Sequence, residues 1–168
     1  MLRKLLFCFA LLAVAGPAAA DDALRCSSET GDAAVAACTR AINSNAGRPS
    51  TNYNNRGFVY WRKGDTDRAI ADYNEAIRLD PKNAIAYTNR GSAYRDKGDT
   101  DRAIADFNEA IRLDPKHSHA YVNRGLAYEK LKDFARARSD FNATLGLSQE
   151  GPKWPRDKAR ERLAAPGP

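Results

Sequence analysis

The sequence predicts an all-α protein in which pairs of helices stack into a solenoid, and two observations support this prediction. The first is internal repetition: residues 63–72 (KGDTDRAIAD) recur unchanged at 97–106, and residues 74–82 (NEAIRLDPK) recur at 108–116, each 34 residues later. The second is the three- and four-residue spacing of apolar side chains within each unit, which is typical of helices. A single helix pair has two apolar faces and only one partner, so such units must stack on their neighbours.

Composition indicates one ordinary globular domain. The chain has 168 residues, of which 43% are hydrophobic, with 27 Lys and Arg against 21 Asp and Glu. No apolar run approaches the roughly 20 residues that span a bilayer, so no integral membrane segment is expected. Basic residues alternate with acidic ones on the predicted helices, which argues against a nucleic-acid-binding face.

The first twenty residues have the features of an export signal. Arg3 and Lys4 precede an apolar stretch at residues 5–14, Gly16 and Pro17 interrupt it, and three alanines end at Ala20. We expect cleavage after Ala20 and a periplasmic or secreted location. The predicted mature chain keeps two cysteines, Cys26 and Cys38, and an even count in an oxidising compartment favours a disulfide. Their spacing differs from that of a CxxC redox motif, and further metal ligands are missing nearby.

Each repeat is predicted to contain two helices. In the second repeat, the first helix carries Tyr87, Gly91 and Tyr94 on one face, and apolar residues of the second helix follow at 103–111. Gly98 and Asp99 suit the turn between them, because Gly adopts the left-handed conformation and Asp caps the next helix. Asp114 precedes a proline, which ends the second helix.

A third copy of the repeat is more diverged. YVNRGLAY at residues 121–128 matches YTNRGSAY at 87–94. Lys132 replaces the turn glycines Gly64 and Gly98, and Thr144 replaces an alanine, so this repeat is either looser than its siblings or shaped for contact. A lysine in a left-handed turn costs on the order of 1 kcal/mol more than glycine.

These motifs resemble the tetratricopeptide repeat over about residues 50–147. The resemblance rests on Tyr-x3-Gly-x2-Tyr, then Ala-x3-Phe/Tyr-x2-Ala, then Asp-Pro, in a period of 34. The Asn-Arg-Gly and Ala-Ile-Ala-Asp segments resemble those of exported bacterial repeat proteins of the rhizobial type. The resemblance implies a right-handed solenoid divided into a signal peptide (1–20), a capping half repeat (21–49), three repeats (50–83, 84–117 and 118–151), and a capping helix with a tail (152–168).

Both ends are predicted to be caps. Residues 33–42 align with 102–111, which places Cys38 where the later copies have Tyr73, Phe107 and Phe141. A disulfide to Cys26 would clamp a short first helix to this second one. At the other end, residues 155–163 are expected to form a short polar helix.

Two ladders of polar residues follow the repeat. Each repeat has an arginine in its first helix and an aspartate in its second helix, always at the same separation. This regularity predicts the structural pairs Arg56–Asp72, Arg90–Asp106 and Arg124–Asp140. The alternative is an anion site built from the three arginines. Asn55, Asn89 and Asn123 form the second ladder, and either they bind backbone within the protein or they bind a ligand.

The resemblance implies a concave groove that binds a peptide and is lined by the first helices. The candidates combine aromatic, amide and cationic side chains, a composition typical of interfaces. They are Asn54, Asn55, Phe58, Trp61, Asn89, Ser92, Arg95, His119, Asn123 and Leu126. The Lys, Asn and Arg set with which the family clamps an acidic C-terminal peptide is matched only at Asn89. Phe58 and Trp61 have the alternative of packing against the N-terminal cap.

The sequence favours a non-enzymatic function. It contains no catalytic Ser/His/Asp arrangement, phosphate-binding loop or HExxH motif, and the two histidines have no ligand cluster beside them, so neither cofactor nor metal is expected. We therefore predict a periplasmic scaffold that binds a peptide or partner protein in the groove. A self-associating assembly factor is one alternative, and an envelope-surface binder that uses the basic C-terminal helix is another.

Overall fold

The computed structural model describes residues 17–147 and 152–165, and these form nine α-helices with no β-strand. The all-α prediction is confirmed. The helices are α1 (Pro17–Ser28), α2 (Gly31–Asn43), α3 (Pro49–Arg62), α4 (Thr66–Leu79), α5 (Ala84–Lys97), α6 (Thr100–Leu113), α7 (Ser118–Lys130), α8 (Phe134–Gly146) and α9 (Lys153–Ala164).

The contacts between helices give the solenoid its curvature. Each helix packs on the helix before and after it. The odd-numbered helices also contact one another in sequence, from α1 to α9, whereas the even-numbered helices of the described chain do not. Because the odd-numbered helices approach each other more closely, they form the inner, concave side of the curve.

The turns within the repeats follow the expected chemistry. The side chains of Asp65, Asp99 and Asp133 each cap a helix by accepting a hydrogen bond from the backbone N–H three residues later. Gly98 lies in the left-handed region at φ +88° and ends α5. Lys132 adopts φ +60° at the equivalent place, so the third repeat keeps the turn despite the side chain.

One aromatic ring fills the interior of each full repeat. Tyr73, Phe107 and Phe141 lie almost entirely away from solvent and pack on Gly57, Gly91 and Gly125 of the first helices. A β-carbon at these glycines would lie only 2.6–2.9 Å from a ring carbon. The small residues therefore set the close approach of the two helices in each pair.

The three Arg–Asp pairs expected from the repeat phase are present. Each arginine donates two hydrogen bonds to its aspartate, with N–O distances of 2.7–2.8 Å, and both side chains are largely buried. The remaining terminal nitrogen reaches the preceding pair, where Arg56 donates to Thr39 and Arg90 donates to Asn74. Arg124 likewise donates to Asn108, so each arginine joins three helices.

The N-terminal cap is a helix pair closed by the predicted disulfide. Cys26 of α1 and Cys38 of α2 are bonded, with a Cα–Cα distance of 4.5 Å, which confirms that prediction. Helix α1 begins at Pro17, four residues before the predicted mature start, and the rest of the predicted signal peptide lies outside the described residues. Across residues 17–147 and 152–165, no helix combines the length and the apolarity needed to cross a bilayer.

Removing the disulfide is expected to destabilise the N-terminal cap. The bond closes a loop over a sequence separation of 12. In the Cys26→Ala/Cys38→Ala variant we expect the free energy of unfolding to fall by about 3 kcal/mol, because the unfolded chain regains the entropy that this cross-link removes. Calorimetry of the parent and the variant, each with and without a reductant, measures this. A reductant that lowers the melting temperature of both proteins equally would contradict it.

Candidate binding groove

The concave side contains a cavity of about 470 Å³ between α3 and α9. Five helices and the residue that precedes α7 contribute side chains to its wall. These are Phe58, Trp61, Tyr73, Ile85, Thr88, Asn89, Ser92, Arg95, His117, His119, Asn123 and Trp154.

Seven of the ten groove candidates line this cavity. They come from the first helices of all three repeats, at the turns of α3, α5 and α7 that face inward. They are Phe58, Trp61, Asn89, Ser92, Arg95, His119 and Asn123.

The other three candidates lie elsewhere. Asn54 is buried and accepts a 2.9 Å hydrogen bond from Asn89 Nδ2, so it fixes the orientation of a residue that lines the cavity without lining it itself. Asn55 lines a second cavity of about 450 Å³ between α3 and the disulfide-linked pair, and Phe58 lines both cavities. Leu126 packs against the buried cluster that includes Val122 and Ala159, because α9 covers that part of α7. Leu126 therefore does not line this cavity.

Hydrogen bonds between neighbouring repeats fix the polar side chains of the groove. Arg95 donates to Asn123 Oδ1 at 2.7 Å and also contacts Asp96. The Trp61 indole donates to Asp96 Oδ2 at 2.9 Å. These bonds join α3, α5 and α7 across the floor, so the groove is largely organised before any ligand arrives.

Aromatic rings form the two ends of the groove. Phe58 and Trp61 lie at one end, with ring centroids 5.8 Å apart. At the other end, His119 stacks on Trp154 at 5.7 Å with an angle of 15° between the rings, and His117 lies 5.9 Å from His119. Trp154 belongs to the C-terminal helix, so the cap supplies part of the wall.

Five lining residues are absent from the ten candidates: Tyr73, Ile85, Thr88, His117 and Trp154. Tyr73 belongs to a second helix, which the repeat pattern assigns to the interior. Trp154 lies outside the repeats, and its place depends on how α9 folds back on α7. A useful signal was the rarity of tryptophan, because both tryptophans of the chain line this cavity.

The groove is close to electrically neutral. The arginine that lines the groove, Arg95, forms an ion pair with Asp96. Burial lowers the pKa of His117, an effect that Asp114 partly offsets, and burial together with the neighbouring His117 lowers the pKa of His119. Both imidazoles are therefore uncharged near pH 7. Within the described residues, no three His, Cys, Asp or Glu side chains come together as metal ligands do.

Acidification is expected to destabilise the end of the groove that contains the histidines. In the folded state both histidines have a pKa below the ordinary 6.5, so at mildly acidic pH the unfolded chain binds more protons. The free energy of unfolding should therefore fall as the pH decreases from about 6.5 through the lowered pKa values. Urea denaturation between pH 7.5 and 5 measures this. The slope should be shallower in the His117→Asn/His119→Asn variant, and an unchanged slope would contradict the prediction.

Comparison with known proteins gives a consistent match to one family. The family model described as "Tetratricopeptide repeat" matches residues 54–117 and 88–152. No curated protein sequence matches the chain.

Several solved structures are similar. The second TPR of Spaghetti (RPAP3), solved with the HSP90 peptide SRMEEVD, has 32% identity and a TM-score of 0.57, with 59% of this chain and 92% of that chain covered. The Arabidopsis OM64 TPR domain has 29% identity and a TM-score of 0.59, with 67% and 95% covered. MamA has 22% identity and a TM-score of 0.62, with 80% of this chain and 71% of that chain covered, and is similar in fold alone.

Proposed function

The chain belongs to the tetratricopeptide repeat family, and we propose that it is a non-enzymatic scaffold that binds an extended segment of a partner protein in the concave groove. The observation that carries this proposal is the cavity itself, in which amide side chains lie between two aromatic ends. Similar solved structures add support, because two of them contain a bound HSP90 peptide.

The polar groups of the groove suit a peptide backbone. Asn89 uses Nδ2 to bond Asn54, and its Oδ1 has no hydrogen-bond partner among the described residues. Asn123 uses Oδ1 to accept from Arg95, and its Nδ2 is likewise without a partner in the described chain. One acceptor on α5 and one donor on α7, the first helices of neighbouring repeats, match the N–H and C=O groups of an extended chain.

Charge distinguishes this groove from a site for an acidic peptide. The HSP90 peptide in the similar structures, SRMEEVD, carries three acidic side chains. Here the guanidinium of Arg95 already contacts Asp96 and Asn123, and both histidines are uncharged near pH 7. We therefore propose that the segment bound here is uncharged and presents a bulky apolar side chain to the aromatic ends.

We also propose that the protein acts in the periplasm or outside the cell. Support comes from the signal-like pattern at residues 1–20 and from the disulfide, which persists in oxidising compartments. Cleavage after Ala20 would leave Asp21 and Asp22 in the first turn of α1, where carboxylates are favourable, and Asp22 would keep its ion pair with Arg40. Intact mass spectrometry of the protein from its own cells tests this, because the proposal requires a chain that begins at Asp21.

The basic C-terminal helix is largely occupied by ion pairs within the protein. Lys158 contacts Glu161, Arg160 contacts Asp157, and Arg162 contacts Glu129 of α7. These contacts leave less positive charge for an anionic surface, so the groove is the better-supported binding site.

Selection from a random heptapeptide phage library on the immobilised protein tests the proposed function. We expect peptides with a bulky apolar residue and no net negative charge, and we expect Phe58→Ala to weaken their binding. Failure to select any peptide that depends on Phe58 would overturn the proposal.

A further inference from the structure

One hydroxyl group distinguishes the first repeat from the second over a stretch of 20 residues. Residues 63–82 and 97–116 are identical except that Tyr73 stands where the second repeat has Phe107. The third repeat also has phenylalanine there, at Phe141. The two phenylalanines show that the interior of this fold is filled by the ring alone, so the hydroxyl of Tyr73 is not needed for packing.

This hydroxyl is buried without a hydrogen-bond partner. Tyr73 is 0% exposed, and among the described residues no atom bonds its Oη. An unpaired hydroxyl in a protein interior is destabilising, and such groups are rare. Burial raises the pKa of Tyr73, so the group keeps its proton and remains a donor.

The position of Tyr73 connects it to the groove. Its ring packs on Gly57 of α3, and the residue lines the cavity together with Trp61 and Asn89. The nearby hydroxyls already donate elsewhere, since Thr88 donates to the carbonyl of Ala84 and Ser92 donates to the carbonyl of Thr88. Tyr73 is therefore an unused donor in the wall of the cavity.

We propose that the Tyr73 hydroxyl is a specificity-determining donor, which bonds an uncharged amide carbonyl oxygen of the segment that occupies the groove. This inference rests on the proposed function and adds a requirement to it. The segment must place a backbone or Asn/Gln side-chain carbonyl beside Tyr73 while its apolar side chain lies among the aromatic rings. Because Tyr73 is 0% exposed in the free protein, the side chains around its hydroxyl must move apart as the segment binds, so that a carbonyl oxygen can reach it. The bound carbonyl would then satisfy the one buried hydroxyl of the cavity wall that lacks a partner in the described chain.

The test is the variant Tyr73→Phe, which reproduces the residue of the two sibling repeats. Its affinity for heptapeptides selected on the parent protein should be about tenfold weaker, because a neutral hydrogen bond in a desolvated site is lost. Without peptide, its melting temperature should rise by about 2–4 °C, because a buried unpaired hydroxyl is removed. Isothermal titration calorimetry and thermal melts measure these two opposite effects.

The reciprocal variant Phe107→Tyr is the matched control. It adds a hydroxyl to the equivalent ring of the second repeat, which does not line the cavity. It should lower the melting temperature and leave the affinity unchanged. Equal affinity of the parent and Tyr73→Phe, or a lower melting temperature of Tyr73→Phe, would overturn the inference but leave the proposed function standing. Failure of the parent to bind any peptide in a Phe58-dependent way would instead overturn the proposed function.

Discussion

Replacing Asp106 with alanine is expected to lower the free energy of unfolding by about 3 kcal/mol, a large fraction of the stability of a typical domain. Asp106 accepts two hydrogen bonds from Arg90, at 2.7 and 2.8 Å, and the two side chains are only 8% and 20% exposed. Without the carboxylate, the guanidinium remains in a largely desolvated place, with only Asn74 to accept from it. Most of this loss comes from leaving a buried charge unpaired, and less comes from the net free energy that the ion pair contributes.

Urea denaturation of Asp106→Ala beside Arg112→Ala measures this. Arg112 forms an exposed pair with Glu109 on the same helix as Asp106, so its removal should change stability little. The double variant Arg90→Met/Asp106→Leu should lose less stability than Asp106→Ala, because both buried charges are gone. Equal losses in Asp106→Ala and Arg112→Ala would show that the three pairs do not hold the repeats together.

The Phe58→Ala/Trp61→Ala variant is expected to bind groove peptides at least 100-fold more weakly than the parent. Phe58 and Trp61 form one aromatic end of the cavity, and buried aromatic anchors commonly contribute 2 kcal/mol or more each to binding. Titration calorimetry with peptides selected on the parent measures the affinity.

Two controls separate binding from folding in this experiment. Phe134→Ala removes a similarly exposed ring, 44% against 41% for Phe58, from the first residue of α8, away from the cavity. It should bind like the parent. Trp61 also packs against the buried cluster of Ala69, Tyr73 and Ala93, so circular dichroism must show that the double variant is folded. A folded double variant with parental affinity would contradict the groove assignment.

The features that recur with the repeat could be predicted from the sequence. The Arg–Asp pairs, the aspartate caps and the ring-on-glycine contacts each depend on residues of one helix pair, at separations of 16 residues or fewer. Because the same residue types recur at the same repeat positions in three copies, such local contacts can be recognised in the sequence. Seven of the groove candidates line one cavity for the same reason, since they lie on the inner turns of the first helices.

The features that depend on distant parts of the chain could not be predicted in this way. Helix α9 has no counterpart in the repeats, yet its packing on α7 brings Trp154 into the groove and covers Leu126. The place of Tyr73 in the cavity wall could not be predicted because its ring occupies an interior position. It differs from Phe107 in its hydroxyl, which has no partner in the described chain, and in lining the cavity.

Site-specific photo-crosslinking in the cells that make the protein tests the central claim most directly. Ile85 and Leu79 are both exposed apolar residues, at 55% and 41%, but only Ile85 lines the cavity. With p-benzoylphenylalanine at each position in turn, we expect a partner protein to crosslink at 85 and not at 79, and the crosslink should disappear in the Phe58→Ala background. Crosslinking at 79 alone, or no partner at either position, would contradict a binding site in the concave groove.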